Sequence, residues 1–169
     1  MPLAQGTGIA KGVGVSMAAN NALVVFALGE RLFGVPASAV REVIRAVAVT
    51  ELPAAPPGVT GVIDLRGTLI PVVDLSVRVG LAPRPVRASD QLLICDVALG
   101  PLAVRADRVL ELRAIGADVI PPGAESDPIV RGLARTADGV VVIADLSAFL
   151  SESDITALGT AIARLSAAA

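Results

Sequence analysis

A stretch of the first half, Gly61-Val62-Ile63-Asp64-Leu65-Arg66-Gly67-Thr68-Leu69-Ile70-Pro71-Val72-Val73-Asp74-Leu75-Ser76, has an echo 71 positions further on, and this repetition constrains the fold more than any other feature. In the first copy two apolar runs flank a charged turn, the pattern of a β-hairpin whose tip is held by Asp64, Arg66 and Gly67. In the second, Gly132-Leu133-Ala134 leads to a polar turn with Asp138-Gly139 and then to Val140-Val141-Val142-Ile143-Ala144-Asp145-Leu146-Ser147. Gly61 falls on Gly132, and Asp74-Leu75-Ser76 on Asp145-Leu146-Ser147. The same offset lays Val25-Phe26-Ala27-Leu28-Gly29 over Asp96-Val97-Ala98-Leu99-Gly100. Two separated segments with one spacing imply a duplicated, all-β unit of several short strands. Small barrels suit such units because they bury the strand edges that an open sheet exposes.

The rest of the chain fits this frame. Residues 21–28 and 31–35 read as a hairpin turning at Gly29-Glu30. Pro36 is expected to open a short helix, with Val40, Val43, Ile44 and Val47 on one face and Arg41, Glu42 and Arg45 on the other. An extended run over 47–52 stops at a Pro-rich connector, 53–58, and 75–81 suggests a helical turn. The segment 82–87, with two prolines and two arginines, is the best internal boundary. Strands are expected over 92–99, 102–106 and 109–115, a polar loop over 121–128, and the repeated hairpin over 129–145. A final helix over 151–169 takes Ser153 as N-cap and Asp154 in its first turn, with Ile155, Leu158, Ile162 and Leu165 packing on the barrels. The resulting division is a mobile arm over 1–20, barrels over 21–84 and 85–150, and a helix over 151–169.

Composition narrows the function. Of 169 residues 54% are apolar yet only 2% aromatic, so the core must be built from Val, Leu, Ile and Ala, and valine richness favours strands. No apolar run reaches the roughly 20 residues that cross a bilayer, and the glycine-broken N-terminal segment lacks a signal-peptide core, so a soluble protein is expected. One cysteine, Cys95, precludes an internal disulfide and suits a reducing cytoplasm. A net charge of −2 with scattered charges and few aromatics argues against a nucleic-acid groove. The absence of histidine removes His-based acid–base catalysis, His metal ligation and a phosphoaccepting histidine.

The paired Asp-Leu-Ser triplets invite comparison with aspartic proteases, in which two aspartates share a proton. Here Leu75 and Leu146 stand where such enzymes carry a hydroxyl residue, and the reading preferred is that Asp74 and Asp145 end strands and cap helical turns. Arg105 interrupts an apolar run and reads as facing solvent from a half-exposed strand; Cys95 reads as a small core residue. Glu42 and Arg66, each in an apolar frame, would by themselves be taken as solvated charges.

Taken in order, Leu23 to Gly29 with Phe33-Gly34-Val35, then Val40-Arg41-Glu42-Val43-Ile44, the prolines 53–57, the run from Gly61 to Leu75, Asp107-Arg108-Val109, Pro121-Pro122 and Ile143-Ala144-Asp145-Leu146 resemble the CheW family of chemotaxis coupling proteins. The resemblance covers about residues 22–165 and implies a mainly β protein of two SH3-like five-stranded β-barrels with short helices and a C-terminal helix. It implies no enzymatic activity, cofactor or metal. The implied role is an adaptor between the cytoplasmic tips of chemoreceptors and the regulatory domain of a CheA-type histidine kinase, recruited from the cytoplasm to membrane-associated arrays. Association with itself or other CheW-like modules in rings is left open, as is a role in an array governing motility or development; the remote enzymatic alternative is an aspartic hydrolase using Asp74 and Asp145. By position, Val40, Glu42, Val43, Gly61 and Arg66 would contact the receptor. Leu69, Ile70, Pro71 and Val72 would lie nearer a barrel edge that meets the kinase. A receptor tip is an amphipathic helical hairpin, so Val40 and Val43 could anchor it while Glu42 and Arg66 set its register. The sequence departs from the family pattern at Asp64, Ala103, Arg105 and Ala106.

Overall fold

All seven residues of β1 (Ala22–Leu28) are buried, because both faces of this strand are covered. The computed structural model describes residues 22–98, 100–114 and 119–168; the arm expected over 1–20 lies outside them. β1 turns at Gly29-Glu30 into β2 (Arg31–Pro36), as the alternation of apolar residues predicts. Then follow β3 (Val40–Arg45), β4 (Val59–Leu65), β5 (Thr68–Val73), β6 (Gln91–Val97) and β7 (Gly100–Ala106). β8 (Arg108–Ala114), β9 (Val119–Ile120), β10 (Val130–Thr136), β11 (Gly139–Ala144) and helix α1 (Glu152–Ala168) complete the series. Short 3-10 turns follow β5 (Leu75–Arg78) and β11 (Leu146–Ala148).

The strands form two sheets, of six strands in the order β9-β10-β11-β2-β1-β8 and of five in the order β3-β6-β7-β5-β4. Each sheet mixes the two halves of the sequence. Hairpin β1-β2 pairs with β8 and, in parallel, with β11, while hairpin β6-β7 pairs with β3 and, in parallel, with β5. The boundary near residue 84 therefore separates the two repeats of the chain but not the two sheets. The amino-terminal hairpin of each repeat completes the sheet of the other. Closure of the five-stranded sheet into a barrel comes from Thr50, downstream of its edge strand β3, which exchanges two backbone hydrogen bonds of 2.9 Å with Val62 on the opposite edge, β4.

Three apolar clusters explain the continuous hydrophobic runs. Val24, Phe26, Leu28, Phe33 and Val35 from one sheet meet Val62, Val73, Leu93, Cys95, Leu102 and Val104 from the other in a shared central core. The alternate residues point the opposite way: Ile63, Ile70, Val72, Leu92, Ile94 and Ala103 fill the five-stranded barrel, and Leu23, Val25, Ala134, Val141 and Ile143 the other. With period-2 side chains and both faces dry, every position of such a strand must be apolar.

The duplication is visible in the irregularities as well as the strands. Register shifts between Val59 and Gly61 on β4 and between Val130 and Gly132 on β10 are bulges at equivalent positions. Asp74 and Asp145 cap the two 3-10 turns, accepting from Ser76 N–H at 3.0 Å and Ser147 N–H at 3.1 Å. Their own N–H groups donate to Gly58 and Ile129, 71 residues apart.

Two sequence expectations need correction. The helix after Pro36 is a 3-10 turn (Ala37–Ala39) followed by strand β3. A bulge at Arg41 lets Val40 and Val43 both face the shared core while Ile44 faces the barrel core, so a spacing of three and four arises in a strand. The C-terminal helix is capped by Ser151, not Ser153: Ser151 Oγ accepts from Asp154 N–H, and Asp154 accepts in return from Ser151 N–H, both at 3.1 Å. Its Leu158, Ile162 and Leu165 pack on the shared core as expected, while Ile155 stays exposed.

Candidate functional site

The tip of hairpin β4-β5 is a two-residue turn in which Arg66 (φ 52°) and Gly67 (φ 90°) both take the left-handed conformation. Paired positive φ angles match the right-handed twist of the flanking strands, the condition for a tight hairpin. Asp64 Oδ1 accepts the Gly67 N–H at 2.8 Å and locks the turn. The carboxylate that the sequence places two residues from Arg66 thus holds the turn's backbone. The guanidinium of Arg66 reaches instead to Glu42 on β3, forming an ion pair between elements 24 residues apart.

The pair lies at the rim of the five-stranded barrel, with the Arg66 side chain 68% and the Glu42 side chain 27% exposed. A surface pair of this kind contributes only about 0–1 kcal/mol to stability, so its value lies in fixing where two charges stand. Val43 is half-buried and packs against the shared core, on the other face of β3 from Glu42. Val40 belongs to the shared core, and Gly61 is buried under the closing segment, where a Cβ would run into the Thr50 carbonyl oxygen. Of the five residues expected to meet a receptor, Glu42 and Arg66 therefore present side-chain surface together, while Val40, Val43 and Gly61 build the frame.

The second group is placed differently. β5 lies between β7 and β4 and is no edge strand. Ile70 and Val72 are fully buried in the barrel core and Pro71 is buried, leaving Leu69, half-exposed near the hairpin tip, as the one member with side-chain surface. A parallel pairing to β7, which belongs to the other repeat, covers what a single-repeat barrel would leave open.

Arg105 corrects the sequence reading most strongly. It is 2% exposed and sits in a cluster of charges with Asp74, Asp90, Asp107 and Arg84. Arg105 donates to Asp107 at 2.9 Å and to Asp74 at 3.3 Å, and Arg84 donates to Asp90 at 2.6 and 2.8 Å and to Asp107 at 2.7 Å. Asp107 also accepts the Gly29 N–H at 2.7 Å, and Asp90 the Arg87 N–H at 2.7 Å. Burial would push both Asp90 and Asp107 up. For Asp90 the Arg84 and Arg87 hydrogen bonds and the two guanidinium charges outweigh it, and for Asp107 the Gly29, Arg105 and Arg84 bonds do, so both carboxyls stay below their ordinary range. The only sequence signal for this cluster is a charge set within an apolar run. Cys95 is buried as expected, its thiol pushed up to about 12 chiefly by burial and further by the charge of Asp96.

A family model of the CheW-like domain matches residues 22–154. The chain belongs to the CheW-like family. CheW relatives include a probable chemotaxis protein CheW of Rhizobium etli, 28% identical over 137 residues that cover 78% of this chain and 88% of that protein. The chemotaxis protein CheW of Treponema pallidum is 28% identical over 159 residues, covering 85% and 92%. The crystal structure of the scaffolding protein TtCheW from Thermoanaerobacter tengcongensis superposes with a TM-score of 0.70 at 30% identity, covering 79% of this chain and 90% of that one. The CheW-like fold and the role of an adaptor in chemotaxis signalling accordingly hold for this chain. Among its described residues no helix is long and apolar enough to cross a membrane.

Proposed function

We propose that this CheW-like chain couples chemoreceptor cytoplasmic tips to the regulatory domain of a CheA-type histidine kinase by binding alone, at membrane-associated arrays. The observation that carries the receptor contact is the Glu42–Arg66 pair, which joins a strand and a hairpin tip at an exposed rim. An amphipathic helical hairpin needs a few fixed charges to set its register, and this rim offers them. Arg66 is held in a left-handed conformation that a long side chain adopts at a cost of about 1–2 kcal/mol, and Gly or Asn there would serve the turn better. Such strain points to a role for the guanidinium outside the turn. Leu69, close to the tip, is the member of the second group retained as a kinase contact. No catalytic step is assigned to Asp74 or Asp145, since each caps its own 3-10 turn and Asp74 also accepts from Arg105.

The test is co-sedimentation of receptor signalling fragments, kinase and this protein, with kinase activity followed in the same tube. Recruitment with a change in activity is expected; neither occurring would overturn the reading. In the same assay Arg66→Glu and Glu42→Arg should each weaken receptor recruitment by about tenfold or less, the range of a surface pair. The double exchange should restore much of it, and the thermal melts should stay nearly unchanged. Loss of binding together with a collapsed melt would make Arg66 structural.

A further inference from the structure

The reciprocal pairing of hairpins has a consequence for association between copies. Nearly all contact between the two repeats is of the kind that a second molecule could supply unchanged: β1 against β8, β2 against β11, β6 against β3 and β7 against β5, around one shared core. The repeats are joined covalently only by the connector between the turn after β5 and the start of β6. At its near end Leu81 N–H donates to the Ser76 carbonyl at 3.1 Å, anchoring the chain to the first repeat. Three residues later Arg84 is held by Asp90 and Asp107, both in the second repeat's half, and Arg87 N–H and the Asp90 carboxylate close the bend at 2.7 Å.

We propose that two copies of this chain can exchange their second repeats through this connector, and that Arg84 is the latch that keeps each chain folded on itself. The reach of the connector decides this. With Arg84 latched, the free span runs from Leu81 to Arg84, which extends to about 10 Å at some 3.4 Å per residue and cannot join two separate bodies. With Arg84 released, the span runs to Arg87, which stays tied to Asp90, and extends to about 20 Å, twice the latched reach. Pro83 and Pro85 bias Ala82 and Arg84 towards extended backbone, so the released connector favours the open form. Exchange through a short hinge needs no new interface, because every strand finds its usual neighbour on the other copy. The latch bonds are largely shielded, with the Asp90 side chain 2% and the Arg84 side chain 20% exposed. The inference is independent of the adaptor role.

The test uses the full chain with Ala22→Cys and Ala114→Cys, directly opposed on β1 and β8, where a disulfide reports which copy supplies each strand. Cys95 is buried and does not compete. Protein is refolded at high and at low concentration, sized by light scattering and run on non-reducing gels. A dimer at high concentration whose disulfide joins two chains is expected, with Arg84→Ala raising the association constant by about tenfold or more, the equivalent of one charge-assisted bond per chain. A chain that stays monomeric at every concentration, or a dimer whose disulfides remain within each chain, overturns the proposal. Asp90→Asn opens the same latch from the other side. A rise in dimer with neither variant, while both melt cooperatively, removes Arg84 from the role. If either variant fails to fold, the crosslinked wild-type background alone decides whether exchange occurs.

Discussion

Single residues in this protein divide by whether their side chain or their backbone matters, and the sequence does not show which. Gly61 and Arg66 both stand in the motif that resembles the CheW family, yet Arg66 presents its guanidinium to solvent while Gly61 lets the Thr50 carbonyl approach. Gly61→Ala should therefore lower stability, by about 1–3 kcal/mol for an overpacked site, and weaken receptor recruitment only in step with that loss. A melt unchanged from the wild type, with recruitment lost, would make Gly61 a contact instead. The Glu42–Arg66 pair illustrates how far reading by residue type goes. Each charge looks solvated in the sequence, and only the closing of a barrel brings β3 beside the tip of the next hairpin. Arg105 shows the opposite failure: a cation in a strand is ordinarily exposed, and of its three carboxylate partners only Asp107 is a near neighbour in the chain.

Among the elements, hairpins were the most legible, because apolar alternation and a Gly-containing turn are local signals. β3 was not. Its bulge shifts the alternation by one residue and produces the spacing of a helix face, and β-branched Val40, Val43 and Ile44 would have been the better guide. The C-terminal helix is legible over its length, but its capping residue is not, since Ser151 and Ser153 are equivalent caps until the Asp154 bond is known. Ser151→Ala should destabilise the helix by about 1 kcal/mol and lower Tm by about 2–4 °C, whereas Ser153→Ala should do neither. Differential scanning calorimetry of the two variants checks this; equal effects would mean that the cap is shared.

In the whole molecule, the duplication could be read from the 71-residue offset, while the exchange of hairpins between repeats could not, because local sequence carries no record of which sheet a strand joins. The paired carboxylates at the junction should give the fold a pH dependence. Asp90 and Asp107 have carboxyls held below the ordinary value near 3.8, as does Asp127, chiefly through its hydrogen bond to Arg78. A group depressed on folding stabilises the fold fully above its unfolded value and loses that contribution as pH falls through its folded value. Stability measured by urea unfolding should therefore change little through these groups between neutrality and about pH 4 and decline below it, and Asp107→Asn should be less stable at neutrality with a shallower acid decline. An Asp107→Asn curve parallel to the wild type would show that this carboxylate does not carry the effect.

The exchanged hairpins also set an order of events in synthesis. When the first repeat has left the ribosome, β1 and β2 have no sheet to join, since β8 and β11 follow in the second. The five-stranded barrel likewise lacks β6 and β7, two of its three interior strands. Phe26 and Phe33, which stack with ring centroids 5.9 Å apart, thus wait for strand partners as far along the chain as Val109 on β8 and Val142 on β11. Neither sheet can be completed before strands of the second repeat are made, so folding should be dominated by distant contacts, slow for its size and vulnerable to aggregation until the last strand arrives.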